Sequence, residues 1–370
     1  MALILRVDGD RWRAHLRDVE ERHPGLVPVI KGNGYGFGLG RLARRSQWLG
    51  VDTVAVGTYE EIPHVEQRYD GSMLVLTPWR PFNPVPASPR VIHTVGRVED
   101  LQALQATGPS GHGSGRDEKP RIVLERMTSM RRHGFDGPGL REAARLVTQG
   151  SGVRVEGVAL HLPLAPRSQG TTHLSEVERL MNDVVGAGLA ERGRSAGGRT
   201  IWVSHLTEVE LELLSRKYPD FTFRPRIGTS LWLGDRAALS VRATVLDSHR
   251  VERGDVYGYR GRSAPRNGTI LVVSGGTAHG IGLEAPTGDA SLRSRAASIA
   301  RGGLDAAGLV RSPYTVGGKQ RLFAEPPHMQ ASMLFIPNGT AVPEVGEEVE
   351  CRVRFTATDF DRVEISQPQR

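Results

Sequence analysis

The sequence contains a single cysteine, Cys351, in 370 residues. An internal disulfide needs two cysteines and a cysteine-rich metal centre needs more, so both are excluded within this chain, and no metal is expected. Lysine is almost as scarce. Of 48 basic residues only Lys31, Lys119, Lys217 and Lys319 are lysines. The rest are arginines, interleaved with acids in segments such as 8–22 and 97–100. No dense basic run exists, so the net charge of +7 reads as a solvated, arginine-biased surface and not as a nucleic-acid footprint. No stretch approaches the roughly 18 unbroken apolar residues of a membrane helix. Residues 1–8 lack a basic segment followed by a long apolar run, so no secretory signal is read there. A cytoplasmic location is expected, with neither membrane nor nucleic acid as partner. The composition that remains, 38% hydrophobic and 24% charged, is that of an ordinary globular protein, and the length suffices for two domains.

The first 235 residues alternate short apolar runs with amphipathic stretches. Eight runs read as strands: 26–30, 53–56, 73–76, 91–94, 121–124, 155–160, 200–203 and 222–223. Helical patterns lie between them at 41–49, 97–104, 140–147, 174–189 and 208–216. Strand–helix alternation repeated about eight times predicts an α/β fold, a (β/α)8 TIM barrel. From residue 235 the texture changes. Runs at 241–245, 251–259, 269–273, 331–336 and 348–355 read as strands joined by Gly- and Pro-containing turns. This predicts a barrel domain over 1–235 and a smaller, mostly β domain over 236–370. Segment 107–120 reads as a mobile loop, and 285–321 as a partly ordered insertion.

In such a barrel the chemistry collects at the C-terminal ends of the strands. Those ends carry Lys31, Glu125 with Arg132, His161, Ser204, and Arg226 with Gly228 and Thr229. These are an amine able to form a Schiff base, an anion–cation pair, a flat ring and an oxyanion-binding turn. Together they suit a phosphorylated aromatic aldehyde. Lys31 carries most weight. It closes an apolar strand and precedes four alternating glycines, so partial desolvation can bring its amine into the nucleophilic range.

Residues 31–38 (KGNGYGFG) resemble the cofactor-lysine motif of alanine racemases and their fold-type III relatives. The resemblance covers nearly the whole chain and is strongest in the barrel. It implies pyridoxal 5′-phosphate (PLP) held by Lys31, with Tyr35 at the phosphate. Residues 127–135 resemble the family's D-T-G-M-x-R-x-G-F segment, which places Arg132 near the cofactor and substrate. Glu125 stands where the family often has a carbamylated lysine, and supplies negative charge without carbon dioxide. His161 matches the histidine beside the pyridine ring. Ser204 falls near a phosphate-binding Asn-Ser, where Thr207 is either a substitute donor or a helix cap. Residues 226–232 resemble R-x-G-I-A-L-Y, which sets Arg226 at the pyridine nitrogen and Gly228 and Thr229 at the phosphate. Arg224 competes for the Arg226 role.

The β domain departs from the pattern. The family's second base is a tyrosine in a G-Y-x-D-G segment, contributed across a dimer interface. The matching stretch here, 273–282, has no tyrosine, and His279 is its one titratable group. The family's M-D-Q appears as His328-Met329-Gln330, and Tyr257 and Tyr259 lie near a tyrosine-containing strand. The resemblance implies a PLP-dependent amino-acid racemase and a homodimer with sites shared between chains. Catalysis is then expected from Lys31 and His279, with Glu125, Tyr257, Tyr259 and His328 on the substrate side. The alternatives are a PLP-binding carrier or regulatory protein without turnover, and another fold-type III enzyme such as a decarboxylase, whose His-x-Gly-Ser-Gly signature is not evident.

Overall fold

A computed structural model describes residues 2–82, 88–106, 119–150, 152–164, 172–192, 196–283 and 310–367. The chain divides into two compact units, one of residues 14–34 and 38–234, the other of 1–13, 35–37 and 235–370. Strand β1 (Leu3–Val7) and helix α1 (Gly9–Arg22) come first.

The first unit is a closed parallel barrel of eight strands: β2 (Val27–Ile30), β3 (Thr53–Val56), β4 (Ser72–Val75), β5 (Val91–Val95), β6 (Arg121–Arg126), β7 (Arg154–Leu160), β8 (Thr200–Val203) and β9 (Thr222–Ile227). Pairing of Val27 with Arg226 and of Val29 with Ala55 closes β2 against β9 and β3. Strands β2 and β3 are buried on both faces, which is why the sequence shows them as short unbroken apolar runs. The connecting helices are α2 (Leu39–Leu49), α3 (Ile62–Glu66), α4 (Val98–Ala106), α5 (Gly137–Gln149), α6 (His173–Gly186), α7 (Leu189–Arg192), α8 (Glu208–Lys217) and α9 (Thr229–Leu233). Their starts follow capping chemistry. Asp136 accepts the Gly139 N–H at 2.7 Å, and Thr172 and Thr207 each close a reciprocal pair with the residue three positions on. Thr207 is thus the cap of α8. Helix α5 buries Leu140, Ala143 and Ala144 on one face. The barrel interior is filled by Val27, Val29, Ala55, Leu74, Ile92, Val123, Ala159 and Trp202, each of the larger ones contributing about 1.5–3 kcal/mol of burial.

The second unit is built on an eight-stranded sheet. Its strands are β1, β10 (Leu239–Val251), β13 (Gly268–Ser274), β14 (Arg311–Val316), β15 (Lys319–Phe323), β16 (Ala331–Pro337), β17 (Glu348–Cys351) and β18 (Arg362–Ile365), and a separate hairpin joins β11 (Val256–Tyr257) to β12 (Arg262–Ser263). Three sequence expectations change here. Residues 1–13 leave the barrel: β1 pairs antiparallel with β10 and parallel with β18, because only Arg6 of its five residues tolerates water. The run 251–259 is not one strand. A turn intervenes, with the Glu252 N–H donating to Asp255 at 2.7 Å and Gly254 at φ +97°. Of segment 285–321, residues 311–316 and 319–321 belong to β14 and β15, which turn over Gly317 and Gly318, both at positive φ; 285–309 lie outside the described residues, as do 107–118 of the expected loop.

Candidate active site

Side chains alternate along a strand, so every second residue of a barrel strand points inward. Two residues beyond the core members, toward the C-terminal ends, stand Lys31, Gly57, Leu76, Thr94, Glu125, His161 and Ser204. On β9 the inward positions are Arg224 and Arg226. Arg224 lies 4.7 Å from the centre of the Trp202 ring, donates to the Gly25 carbonyl at 3.1 Å and pairs with Asp52. Gly25 and Asp52 precede β2 and β3, so Arg224 is committed to the N-terminal end of the barrel. Arg226 is left for the C-terminal end.

The structure brings five expected residues within electrostatic reach of one another: Lys31, Glu125, Arg132, His161 and Arg226. Lys31 reaches solvent, yet crowding at the strand ends lowers its pKa. Partial desolvation acts first and the charge of Arg132 next; Glu61 opposes them, and Arg226 adds to the lowering. Arg226 is buried and its pKa falls to about 10, desolvation outweighing the Glu125 charge. It therefore stays cationic at neutral pH. Its Nη2 donates to the Leu160 carbonyl at 3.1 Å, and its Nε has no partner. Glu125, 4% exposed, also keeps a buried oxygen without a partner, and burial pushes its carboxyl up against the pull of Arg226 and Arg132. Unpaired buried polar atoms are uncommon and costly, and two of them lie in this layer.

His161 is pushed down to about 2, by desolvation and then by Arg226, Arg132, His205 and Lys31. It is a neutral ring at any working pH. Ser204 holds it: the serine hydroxyl shares a 3.2 Å hydrogen bond with Nδ1 and accepts the Leu162 N–H at 3.2 Å. Gly228 and Thr229 form the junction from β9 to α9. Tyr35 is buried, at φ +55°, in a three-residue segment grouped with the second unit, where Phe37 stacks on Trp12 at 4.7 Å.

Three residues of this layer escaped the sequence reading. His205, at φ +60°, meets the His161 ring edge-on at 5.6 Å. Glu61 accepts backbone N–H groups from Gly32 and Gly57. Glu176, buried on α6, accepts the Ser129 N–H at 2.6 Å and the Ser129 hydroxyl at 2.8 Å. With the Thr128 hydroxyl donating to the His161 carbonyl at 2.6 Å, it fixes the loop that carries Arg132. Glu176→Ala is expected to strand the Ser129 donors and cost about 1–3 kcal/mol. A urea midpoint equal to that of the parent protein would contradict this.

The remaining expected residues lie in the second unit. His279 is buried and both ring nitrogens are engaged: Nδ1 accepts the Gly276 N–H at 3.2 Å, so Nε2 carries the proton it shares with Asp361 at 3.1 Å. His328 differs. Its Nε2 lies 2.6 Å from Glu325, a carboxylate 2% exposed, and its ring packs 4.6 Å from that of Tyr259. Glu325 also accepts the Tyr259 N–H at 3.3 Å, while the Tyr257 hydroxyl donates to the Ala324 carbonyl at 3.2 Å. Sequence reasoning missed Glu325, although its spacing three residues before His328 was visible.

Comparison with known proteins adds an independent line. A family model described as "Alanine racemase, N-terminal domain" matches residues 7–211. An alanine racemase of Mycolicibacterium vanbaalenii is 26% identical over 293 residues, covering 72% of this chain and 70% of the relative. One of Campylobacter jejuni is 25% identical over 45% of this chain and 47% of its own length. Among solved structures, alanine racemase from Bartonella henselae with covalently bound pyridoxal phosphate superposes with a TM-score of 0.69 at 17% identity, covering 99% of this chain and 100% of that one. Histidine racemase from Leuconostoc mesenteroides gives 0.66 at 17% identity, with 98% of each chain covered. At such identities these structures establish the shared fold. Among the described residues no helix is long and apolar enough to cross a membrane.

Proposed function

Because this chain belongs to the alanine racemase family, we propose that it is a PLP-dependent amino-acid racemase with Lys31 as its cofactor amine. One observation carries the reading: a lysine amine of lowered basicity shares a layer with two buried polar atoms that lack partners, Glu125 Oε2 and Arg226 Nε. The donor set fits the group. Lys31 would hold the aldehyde end, Arg226 the ring nitrogen, and neutral His161 the ring. Gly228 and Thr229 would offer a hydroxyl and backbone N–H groups to the phosphate, and Ser204 steadies His161. PLP, when bound, withdraws electrons from the Cα–H bond of an attached amino acid. Arg226 keeps its proton throughout, since its pKa of about 10 lies well above neutrality. Arg132 meets the substrate carboxylate, with Glu125 as the opposing charge. Which amino acid is taken is a separate question, for the fold is shared by alanine and histidine racemases.

Racemisation needs an acid–base group on each face of Cα. Lys31 serves one. We assign the other to the second unit, in a homodimer whose sites are shared between chains. His279 is the histidine expected from sequence, but both its ring nitrogens are committed. His328 is better suited: Glu325 orients its Nε2, and its Nδ1 has no hydrogen bond among the described residues. His328→Ala is expected to slow α-deuterium exchange on one face by about 10²–10⁴-fold with the cofactor absorbance intact, whereas His279→Ala mainly lowers Tm. Mixing Lys31→Ala with His328→Ala chains should restore about a quarter of the activity, one good site in half the dimers. Exchange lost in His279→Ala but kept in His328→Ala would reverse the two roles. A parent protein that exchanges no α-proton with any amino acid would favour a PLP-binding regulatory protein instead.

A further inference from the structure

Neighbouring strands β2 and β3 end at Ile30 and Val56, and the ladder between them ends with those residues. The next backbone N–H groups need other acceptors. Glu61, on the turn Tyr59–Glu61 that follows β3, supplies them. Its Oε1 accepts the Gly32 N–H at 2.7 Å and its Oε2 the Gly57 N–H at 2.6 Å, with the Thr58 N–H at 3.4 Å. One carboxylate therefore joins the chain just after Lys31 to the chain just after β3. The fit is close. A Cβ built on Gly57 would lie 3.1 Å from the Lys31 Cβ and from both Glu61 oxygens, so the backbone of Gly57 forms one wall of the lysine's position.

We propose that Glu61 is a positioning residue for Lys31: its carboxylate clamps the backbone beside the lysine and sets a negative charge against the lysine's ammonium. The inference rests on Lys31 being the cofactor amine. The charged groups that act on Lys31 are Arg132 from the loop after β6, Arg226 from β9, and Glu61. His161 is neutral. Both arginines disfavour the ammonium and Glu61 alone of the three favours it, so loss of the Glu61 charge moves the Lys31 titration to lower pH.

Two variants separate charge from reach. Glu61→Gln removes the charge and replaces one acceptor by a donor. Glu61→Asp keeps the charge on a side chain one carbon shorter, which cannot span both amides. The measurement is the pH dependence of Lys31 arylation by trinitrobenzenesulfonate in the cofactor-free protein, read by peptide mapping, together with kcat of the loaded enzyme. In Glu61→Gln the midpoint should move to lower pH and kcat should fall about tenfold or more. In Glu61→Asp the midpoint should stay near that of the parent while kcat falls comparably. A parental midpoint in a folded Glu61→Gln overturns the electrostatic half, and parental kcat in Glu61→Asp overturns the clamp. Should Glu61→Gln fail to fold, the aspartate variant still decides the clamp. If borohydride marks a different lysine in the parent protein, the racemase reading falls, while the arylation curve still reports on Glu61.

Discussion

Lys31→Ala is expected to abolish covalent cofactor retention and to lower turnover by about 10⁴-fold, the upper end of what a positioned acid–base group supplies. It removes both the amine and the base on one face of Cα, and nothing in the layer replaces them. His161, with its pKa pushed down to about 2, is too weak a base. Arg132 and Arg226 cannot act as bases near neutrality. Borohydride reduction and peptide mapping of the parent protein should mark Lys31. Label at Lys119, Lys217 or Lys319 would refute the assignment. The fold should survive, since the lysine reaches solvent.

Glu125→Gln should separate stability from activity. Burial raises the Glu125 carboxyl, and the arginine charges only partly offset this. A group whose folded pKa is raised above its unfolded value favours folding below the unfolded pKa, and that contribution is lost as pH rises through the folded pKa. Ionised Glu125 is therefore a burden on the fold toward neutral and alkaline pH. Glutamine, which does not ionise, should raise Tm, with a gain that grows as pH rises above the unfolded carboxyl pKa and levels off once pH passes the folded one. Activity should move the other way. Without the carboxylate, Arg132 and Arg226 repel each other unopposed, and kcat/KM should fall about 100-fold through misplacement of the substrate-facing arginine. Parental kinetics in Glu125→Gln, or a Tm difference independent of pH, would contradict this account.

The barrel was legible because its strands are buried on both faces, so each run of Val, Ile and Leu stands out against its helices. The proposed site residues Lys31, Glu125, His161 and Ser204 were singled out on the same signal, each lying just past, or at the end of, such a run. What escaped detection acts through the backbone. Glu61 binds the amide of a residue 29 positions away, and amides carry no side-chain signature. The Thr58–Glu61 spacing is visible as a helix-start signal, which hides its second role. His279 was singled out as the titratable residue of its segment, but Asp361, 82 positions on, could not be paired with it from sequence. Strands β14 and β15 were missed because Ser312, Pro313, Gln320 and Arg321 interrupt any clean alternation.

The pairing of β1 with β18 has a consequence for biosynthesis. The Leu3 N–H donates at 2.7 Å to Asp361, 358 residues downstream, so a strand translated early waits for a partner translated late. Barrel strands mostly pair with the next strand in sequence and can assemble as they leave the ribosome. Strand β10 can cover one side of β1 once it emerges, but the side that β18 takes stays open to the end, an edge unpaired for the tens of seconds that translation of such a length takes at roughly 5–20 residues per second. The vulnerable species is thus a nascent chain with a formed barrel and a first strand paired on one side only. That is where a ribosome-associated chaperone would be most useful, and where loss of the last strand would do its damage.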